Sequence, residues 1–247
     1  NPSTAKSYTD YSLFTAKAAY TADLANLFNT LTGYTRKPSF RKILVAPYTL
    51  HDEVIRMIRE ESKAAKSGKE GRILIKVNSL VDPQSINELY LASQAGVRID
   101  LIVRGICGLI PGVRGLSENI RVISLLGRFL EHSREFHFRN APLGKRTFLG
   151  SPDWMPRNFF RRIEVAFPVE DPTEETKIME SMEAFLRDNE FSTHLKSKGQ
   201  YIQPSKRRRP FSAQGHFISC SMDEVARKQD SDSGSSSRKT QNQSKGD

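Results

Sequence analysis

RILIKVNSLVDPQSINELYLASQAGVRIDLIVRG, residues 72–105, is the stretch that decides the fold. Its first seven residues are a short apolar run of strand length. Asp82 followed by Pro83 signals an N-cap and first helical turn, and the helix opened there runs to Gly96. RIDLIVRG (98–105) is a second apolar run of strand length. Strand, helix and strand in this order argue for a parallel pairing with the helix laid across it.

The same alternation extends upstream. RKILVAP (41–47) reads as another buried strand, followed by a helix from Leu50 to about Lys66. In that helix Val54, Met57, Ile58 and Glu61 recur at helical spacing, and Gly68 stops it. Downstream come shorter strand candidates, NIRVISL (119–125), REFHF (134–138), RTFLGS (146–151) and RIEVAFPV (162–169). A closing helix, 171–189, carries acids in its first turn as the helix dipole favours. The expectation is an α/β domain over 37–195 whose central sheet is mostly parallel and flanked by helices. Residues 1–36 read as the end of a preceding domain, and 196–247 as a basic, low-complexity tail, disordered beyond about 205.

Composition narrows the function classes. The 247 residues are 37% hydrophobic and 27% charged, as suits a globular protein with a polar tail. No apolar run approaches the roughly 18 residues of a membrane span. The first residue is Asn and no leader precedes it, so the sequence reads as a piece of a longer chain. Cys107 and Cys220 form neither a disulfide framework nor a thiolate metal site, and a reducing compartment, the cytoplasm, is expected. Residues 196–247 hold 11 basic and 5 acidic side chains against 27 and 23 in 1–195, so more than half of the net charge of +10 lies outside the expected core. Bulk basicity therefore says little about what the folded part binds.

In open α/β sheets ligands collect at the carboxyl ends of parallel strands. Asn78 and Arg104 stand at two such ends, and Arg104 leads into the Gly/Pro-rich ICGLIPGVRG (106–115). That loop is either a plain connector or a source of backbone N–H groups for an anion. Arg104 needs a carboxylate, solvent or a bound anion, since a buried unpaired cation is costly. His132 is followed at plus two by Arg134, which puts both side chains on one face of an extended segment. FLGSPDWMPRN (148–158) then supplies Ser151, Asp153, Arg157 and Asn158. Basic groups, a hydroxyl and an imidazole together make a phosphate-binding set. Arg162 either pairs with Glu164 two residues on, or faces phosphate with Glu164 orienting it. His137 alternates with Phe136 and Phe138 and is expected on the opposite face of the sheet, without a role. His51, His194 and His216 read as incidental, and Trp154 as core or pocket wall. No phosphate-loop or dinucleotide glycine motif is present, nor any zinc spacing.

NPSTAKSYTDYSLFTA, FNTLTGY, the run from ILIKVNSLVDP to GRFLEHSREF, and DWMPRN with RRIEVAFPVEDP resemble the C-terminal half of the polyphosphate kinase family, the type related to phospholipase D. The resemblance covers residues 1 to about 195 nearly without gaps. It implies two phospholipase D-like α/β domains with a tunnel between them, of which 1–36 would end the first and 37–195 form the second. It implies reversible transfer of the terminal phosphoryl of ATP to inorganic polyphosphate through a phosphohistidine, with magnesium and in a homo-oligomer. Tyr8 then corresponds to an ATP-contacting tyrosine, Arg104 to an ATP-phosphate arginine, His132 to a second active-site histidine and Arg162 to a phosphate-contacting arginine. Arg134, Ser151, Asp153, Asn158 and Glu164 would support them. The family's phosphorylated histidine lies upstream of the segment matching residue 1, and so do the expected magnesium ligands; half of an active site is implied, inactive alone. Two rivals stand beside this reading. A phospholipase D-like phosphodiesterase or nuclease is disfavoured by Arg134 and Asp153, where those hydrolases commonly carry Lys and Asn. A non-enzymatic polyanion-binding module would contact nucleic acid or polyphosphate through KRRRP (206–210) and the tail.

Overall fold

The computed structural model describes residues 2–34, 38–204 and 209–222. In chain order the elements are α1 (Pro2–Ala5), β1 (Tyr8–Thr9), α2 (Ala18–Leu31), β2 (Leu44–Ala46), α3 (Leu50–Lys66), β3 (Arg72–Val77), α4 (Pro83–Gln94), β4 (Arg98–Val103) and β5 (Ile120–Leu125). There follow β6 (Leu130–Glu131), β7 (Arg134–Phe138), β8 (Thr147–Gly150), α5 (Pro156–Phe160), β9 (Glu164–Pro168), α6 (Pro172–Arg187), β10 (Ser192–Leu195) and β11 (Tyr201–Ile202). A last helix, α7, spans 213–222.

Nine strands form one sheet in the order β11-β10-β5-β4-β3-β7-β8-β9-β2, while β1 and β6 pair separately. Asp82 caps α4 as its sequence signals: its carboxylate accepts from the Ser85 N–H at 2.8 Å, and Pro83 occupies the first turn. The crossover through α4 makes β3 and β4 parallel, and β5 continues parallel to β4. The remaining pairings are antiparallel. The sheet is therefore mixed, with parallel pairing confined to its centre rather than dominant. The reason is connection length, because parallel neighbours need a crossover of about a dozen residues or more whereas β7 and β8 are joined by a short hairpin.

Alternation along the central strands separates two cores. Ile73, Ile75 and Val77 of β3 and Phe136 and Phe138 of β7 belong to a cluster that includes Val54 and Ile58 of α3 and Leu89 of α4. Leu74 joins the opposite cluster with Ile178, Met182 and Phe185 of α6. Trp154 is fully buried in the first cluster, edge-on to Phe136 at 5.7 Å, and is core.

The expected tail is corrected in part. Residues 201–202 add an edge strand, and α7 with the preceding Phe211 lies against the α6 core, through Phe211, Ala213 and Phe217. These apolar residues anchor a segment that the surrounding polar composition hides. Residues 205–208 and 223–247, where the rest of the tail expectation falls, lie outside the described residues. Among the described residues no helix is long and apolar enough to cross a membrane.

Candidate functional site

Residues 130–134 lie where two short pairings meet. β6 pairs in parallel with β1, placing Tyr8 beside Leu130 and Thr9 beside Glu131, and the His132 N–H donates to the Thr9 carbonyl at 3.2 Å. Successive side chains then alternate between two faces. Glu131, Ser133 and Glu135 turn inward; His132 and Arg134 turn toward a cavity of about 310 Å³ that Asp10, Tyr11 and Ser151 also line.

The His132 ring is held from three sides. Its Nδ1 is 2.8 Å from Asp10 Oδ2, Tyr8 meets it edge-on at 5.0 Å, and a guanidinium nitrogen of Arg134 lies 2.9 Å from Nε2. A carboxylate only accepts, so Nδ1 carries the proton shared with Asp10, while the Arg134 nitrogen, 3.2 Å from Nδ1 and 2.9 Å from Nε2, lies against the ring and donates to the His132 carbonyl at 2.8 Å. Asp10 thus places the proton on Nδ1, and the ring lies beside a cation rather than a base.

A relay of polar contacts extends from Arg134 to the carboxyl ends of the central strands. Arg134 donates to Asp153 at 3.3 and 3.4 Å, and Asp153 also accepts from the Asn78 and Ser79 backbone N–H groups at 2.7 and 3.2 Å. Asn78 Oδ1 in turn accepts from Arg104 Nε at 3.0 Å. Arg104 therefore leans on a neutral amide, and no ion pair holds it among the described residues. Gly105 makes this approach possible, since a Cβ there would lie 2.8 Å from the Asn78 carbonyl oxygen. The loop after it is a connector: the N–H groups of Gly108, Ile110, Gly112 and Val113 are all taken by protein acceptors.

The other expected residues divide. Ser151 lines the cavity but donates to Glu164, whose second oxygen accepts from Asn158 at 2.6 Å. Asn158 and Glu164 are buried and brace the β8–β9 junction. Arg162 precedes β9 instead of lying in it, so it does not share a face with Glu164; it is exposed and without an ion pair among the described residues. Asp153 faces backbone N–H groups and Arg134, which makes it an orienting group. His137 points to the α6 face, where its Nδ1 lies 2.8 Å from Thr147 Oγ1, and burial pushes its pKa down to about 4.

Several residues beneath the site escape a reading of the sequence. Lys76 of β3 is buried with Glu131 and Glu135, its ammonium 3.2 and 3.3 Å from their carboxylates and bonded to Ser133 Oγ. Glu131 also accepts from Thr9 Oγ1 at 3.0 Å and from Gln214 Nε2 at 2.7 Å. Gln214 of α7 bonds both the N–H and the carbonyl of Phe129, at 3.0 and 2.9 Å. The detectable signal was the alternation Glu-His-Ser-Arg-Glu, which requires a polar floor under residues 131, 133 and 135. A larger cavity of about 1240 Å³ lies between residues 9–20, α6 and α7. Asp10, Glu131, Glu170, Asp171, Glu174 and Glu180 stand on its walls with Lys17 and Lys177, and three of these acids, Glu131, Glu170 and Glu174, are paired with lysines. Among the described residues no group of three or more His, Cys, Asp or Glu could hold a metal ion.

Residues 43–214 match the family model described as polyphosphate kinase C-terminal domain 2. The chain belongs to the polyphosphate kinase family. Residues 1–37 match that family's C-terminal domain 1. The polyphosphate kinase of Prosthecochloris aestuarii is 47% identical over 218 residues, covering 88% of this chain and 30% of the relative. That of Synechocystis is 50% identical over 212 residues, covering 86% and 28%. The crystal structure of polyphosphate kinase from Porphyromonas gingivalis superposes with a TM-score of 0.80 at 40% identity, covering 85% of this chain and 32% of that one. The chain thus spans about 30% of the length of these relatives.

Proposed function

We propose that this chain forms the nucleotide- and polyphosphate-facing half of an ATP:polyphosphate phosphotransferase, with the phosphorylated histidine supplied from the part of the protein that corresponds to the upstream portion of its relatives. The observation that carries the reading is the set of arginines near the His132 cavity and the strand ends that lead to it. Arg104 and Arg162 hold no carboxylate among the described residues, and Arg134 presents its guanidinium to His132. These two arginines without a carboxylate, Arg104 at a strand end and Arg162 before β9, beside an Arg134 that shares its charge with Asp153, suit a polyanion.

Phosphoryl transfer depends on positioning and on neutralising charge. In this reading Arg104 and Arg162 clamp phosphates, bidentate where their forks allow, and Tyr8 bears on the nucleotide. His132, with Nδ1–H fixed by Asp10, takes up a proton at Nε2 or contacts phosphate there, and Arg134 adds positive charge. Asp153, Ser151, Asn158 and Glu164 hold these groups in place. Magnesium belongs to this chemistry as the partner of ATP, and no residue of the chain is assigned to it. The fold is read as phospholipase D-like, the protein as a cytoplasmic homo-oligomer, and the chain alone as inactive in net synthesis.

Binding of ATP–magnesium and of polyphosphate by this chain tests the proposal. Arg104→Ala and His132→Ala should each weaken binding. Binding indifferent to both would overturn the site, and net synthesis by the chain alone would make His132 itself the nucleophile.

A further inference from the structure

The opposite end of the sheet carries a separate concentration of positive charge. β4 runs from Arg98 to Val103, immediately before Arg104, so the six residue steps from Arg98 to Arg104 set the two ends roughly 20 Å apart. At the Arg98 end lies a cavity of about 980 Å³, lined among others by Arg98, Arg121, Arg187, His194, Lys196 and Arg209.

The acids near this cavity are already committed. Asp100, buried beside it, receives Arg98 at 3.1 Å, Arg121 at 2.7 Å and Arg72 at 3.4 Å, so three guanidiniums share one carboxylate. Glu183 on the wall is bonded to Arg72. Asp188, also on the wall, is buried and accepts four backbone N–H groups, those of Glu190, Phe191, Ser192 and Ala213. Arg187 lies over the Phe211 ring at 4.7 Å, a contact that leaves its charge uncompensated. Lys196 and Arg209 are exposed and hold no ion pair among the described residues. Burial first, then Lys196 and Arg121, lower the pKa of His194. Five permanent cations thus converge on a concave surface whose two wall carboxylates are both occupied.

We propose that this cavity is a second anion site, which takes a chain of phosphates at a distance from the His132 cavity. The site's cationic character is independent of the function proposed above; the identity of its ligand as inorganic polyphosphate rests on that reading. Arginines whose forks are only partly used by Asp100 retain N–H donors for phosphate oxygens, and their placement by a buried carboxylate fixes them in advance. Such a site would hold a distal segment of the polymer, so that the chain stays bound when its end leaves the transfer site.

The test is a titration of isotope-labelled chain with tripolyphosphate, followed by amide chemical shifts, with sulfate at matched ionic strength as control. Shifts are expected around Arg121, His194 and Lys196 in addition to those around His132. The double variant Lys196→Glu/Arg209→Glu alters two exposed side chains and should weaken the first set on the order of tenfold, leaving the second. His132→Ala should do the reverse. Shifts that sulfate reproduces at the same concentration, or that the double variant leaves unchanged, would overturn the second site. A short RNA that binds there more tightly than tripolyphosphate would overturn the ligand. Loss of the His132 set alone would sink the functional reading while this site stands.

Discussion

Replacing Lys76 by Met removes one charge from a buried group of three. The Lys76 side chain is 3% exposed, and those of Glu131 and Glu135 are 6% and 0% exposed. Methionine keeps the length and apolar character of the lysine stem, while the ammonium it removes lies 4.7 Å from the centre of the Phe185 ring. What changes is that two buried carboxylates, each within 3.3 Å of the ammonium, lose their counter-charge. Glu131 retains Thr9 and Gln214 as donors, whereas Glu135 retains only Ser133 Oγ at 2.8 Å, and its other oxygen has no partner. Breaking a buried pair from one side costs about 3–5 kcal/mol. For a chain of this size that corresponds to roughly 6–20 °C in Tm. Denaturant unfolding of Lys76→Met measures it, and the triple variant with Glu131→Gln and Glu135→Gln should recover more than half of the loss. A single variant within about 1 kcal/mol of the parent, or a triple variant less stable than the single, would refute the reasoning.

Other perturbations have equally definite outcomes. His137 is held neutral, with a pKa pushed down to about 4 from an ordinary 6.5, first by burial and then by Arg146, Arg72 and Arg139 against the opposing pull of Glu175. The unfolded chain therefore binds the extra proton first, and stability falls as pH drops from about 6.5 to 4, by up to about 3 kcal/mol. Chemical denaturation across that range should show a shallower slope for His137→Gln than for the parent. Gln214→Ala removes three hydrogen bonds to Phe129 and Glu131, which should cost about 1–3 kcal/mol and speed amide exchange at Phe129. Asp82→Ala deprives α4 of its cap and His51 of its partner at 3.2 Å, and a loss of about 1–2 kcal/mol is expected in thermal unfolding. Asp10→Asn leaves the ring contact but not the charge; the His132 imidazole nitrogen shifts should then report a mixture of tautomers in place of Nδ1–H alone.

Local signals account for the parts of the architecture that were legible. Asp82–Pro83 before an apolar-periodic run, and short apolar stretches on either side, specify the β3–α4–β4 crossover from chemistry within a few residues. The direction of β7 to β10 depends on loop length and edge order, which no residue periodicity encodes. His132 and Arg134 were readable as a pair because a spacing of two fixes a common face. The pairing of Arg162 with Glu164 failed on the same rule, since β9 begins after Arg162 and the alternation has no hold there. Asp10, Thr9 and Gln214 were invisible for another reason: they reach residues 129–132 from more than 80 positions away in sequence, and nothing in their own neighbourhoods marks them.

Glu131 draws on both extremities of the described chain, Thr9 from one side and Gln214 from the other. The order of events in folding follows from this. Contacts across 122 and 83 residues close large loops and form late. A nascent or clipped polypeptide lacking either terminal piece can build the central sheet, yet its imidazole has no fixed bearing. The arrangement around His132 thus belongs to the whole described chain rather than to the central sheet alone.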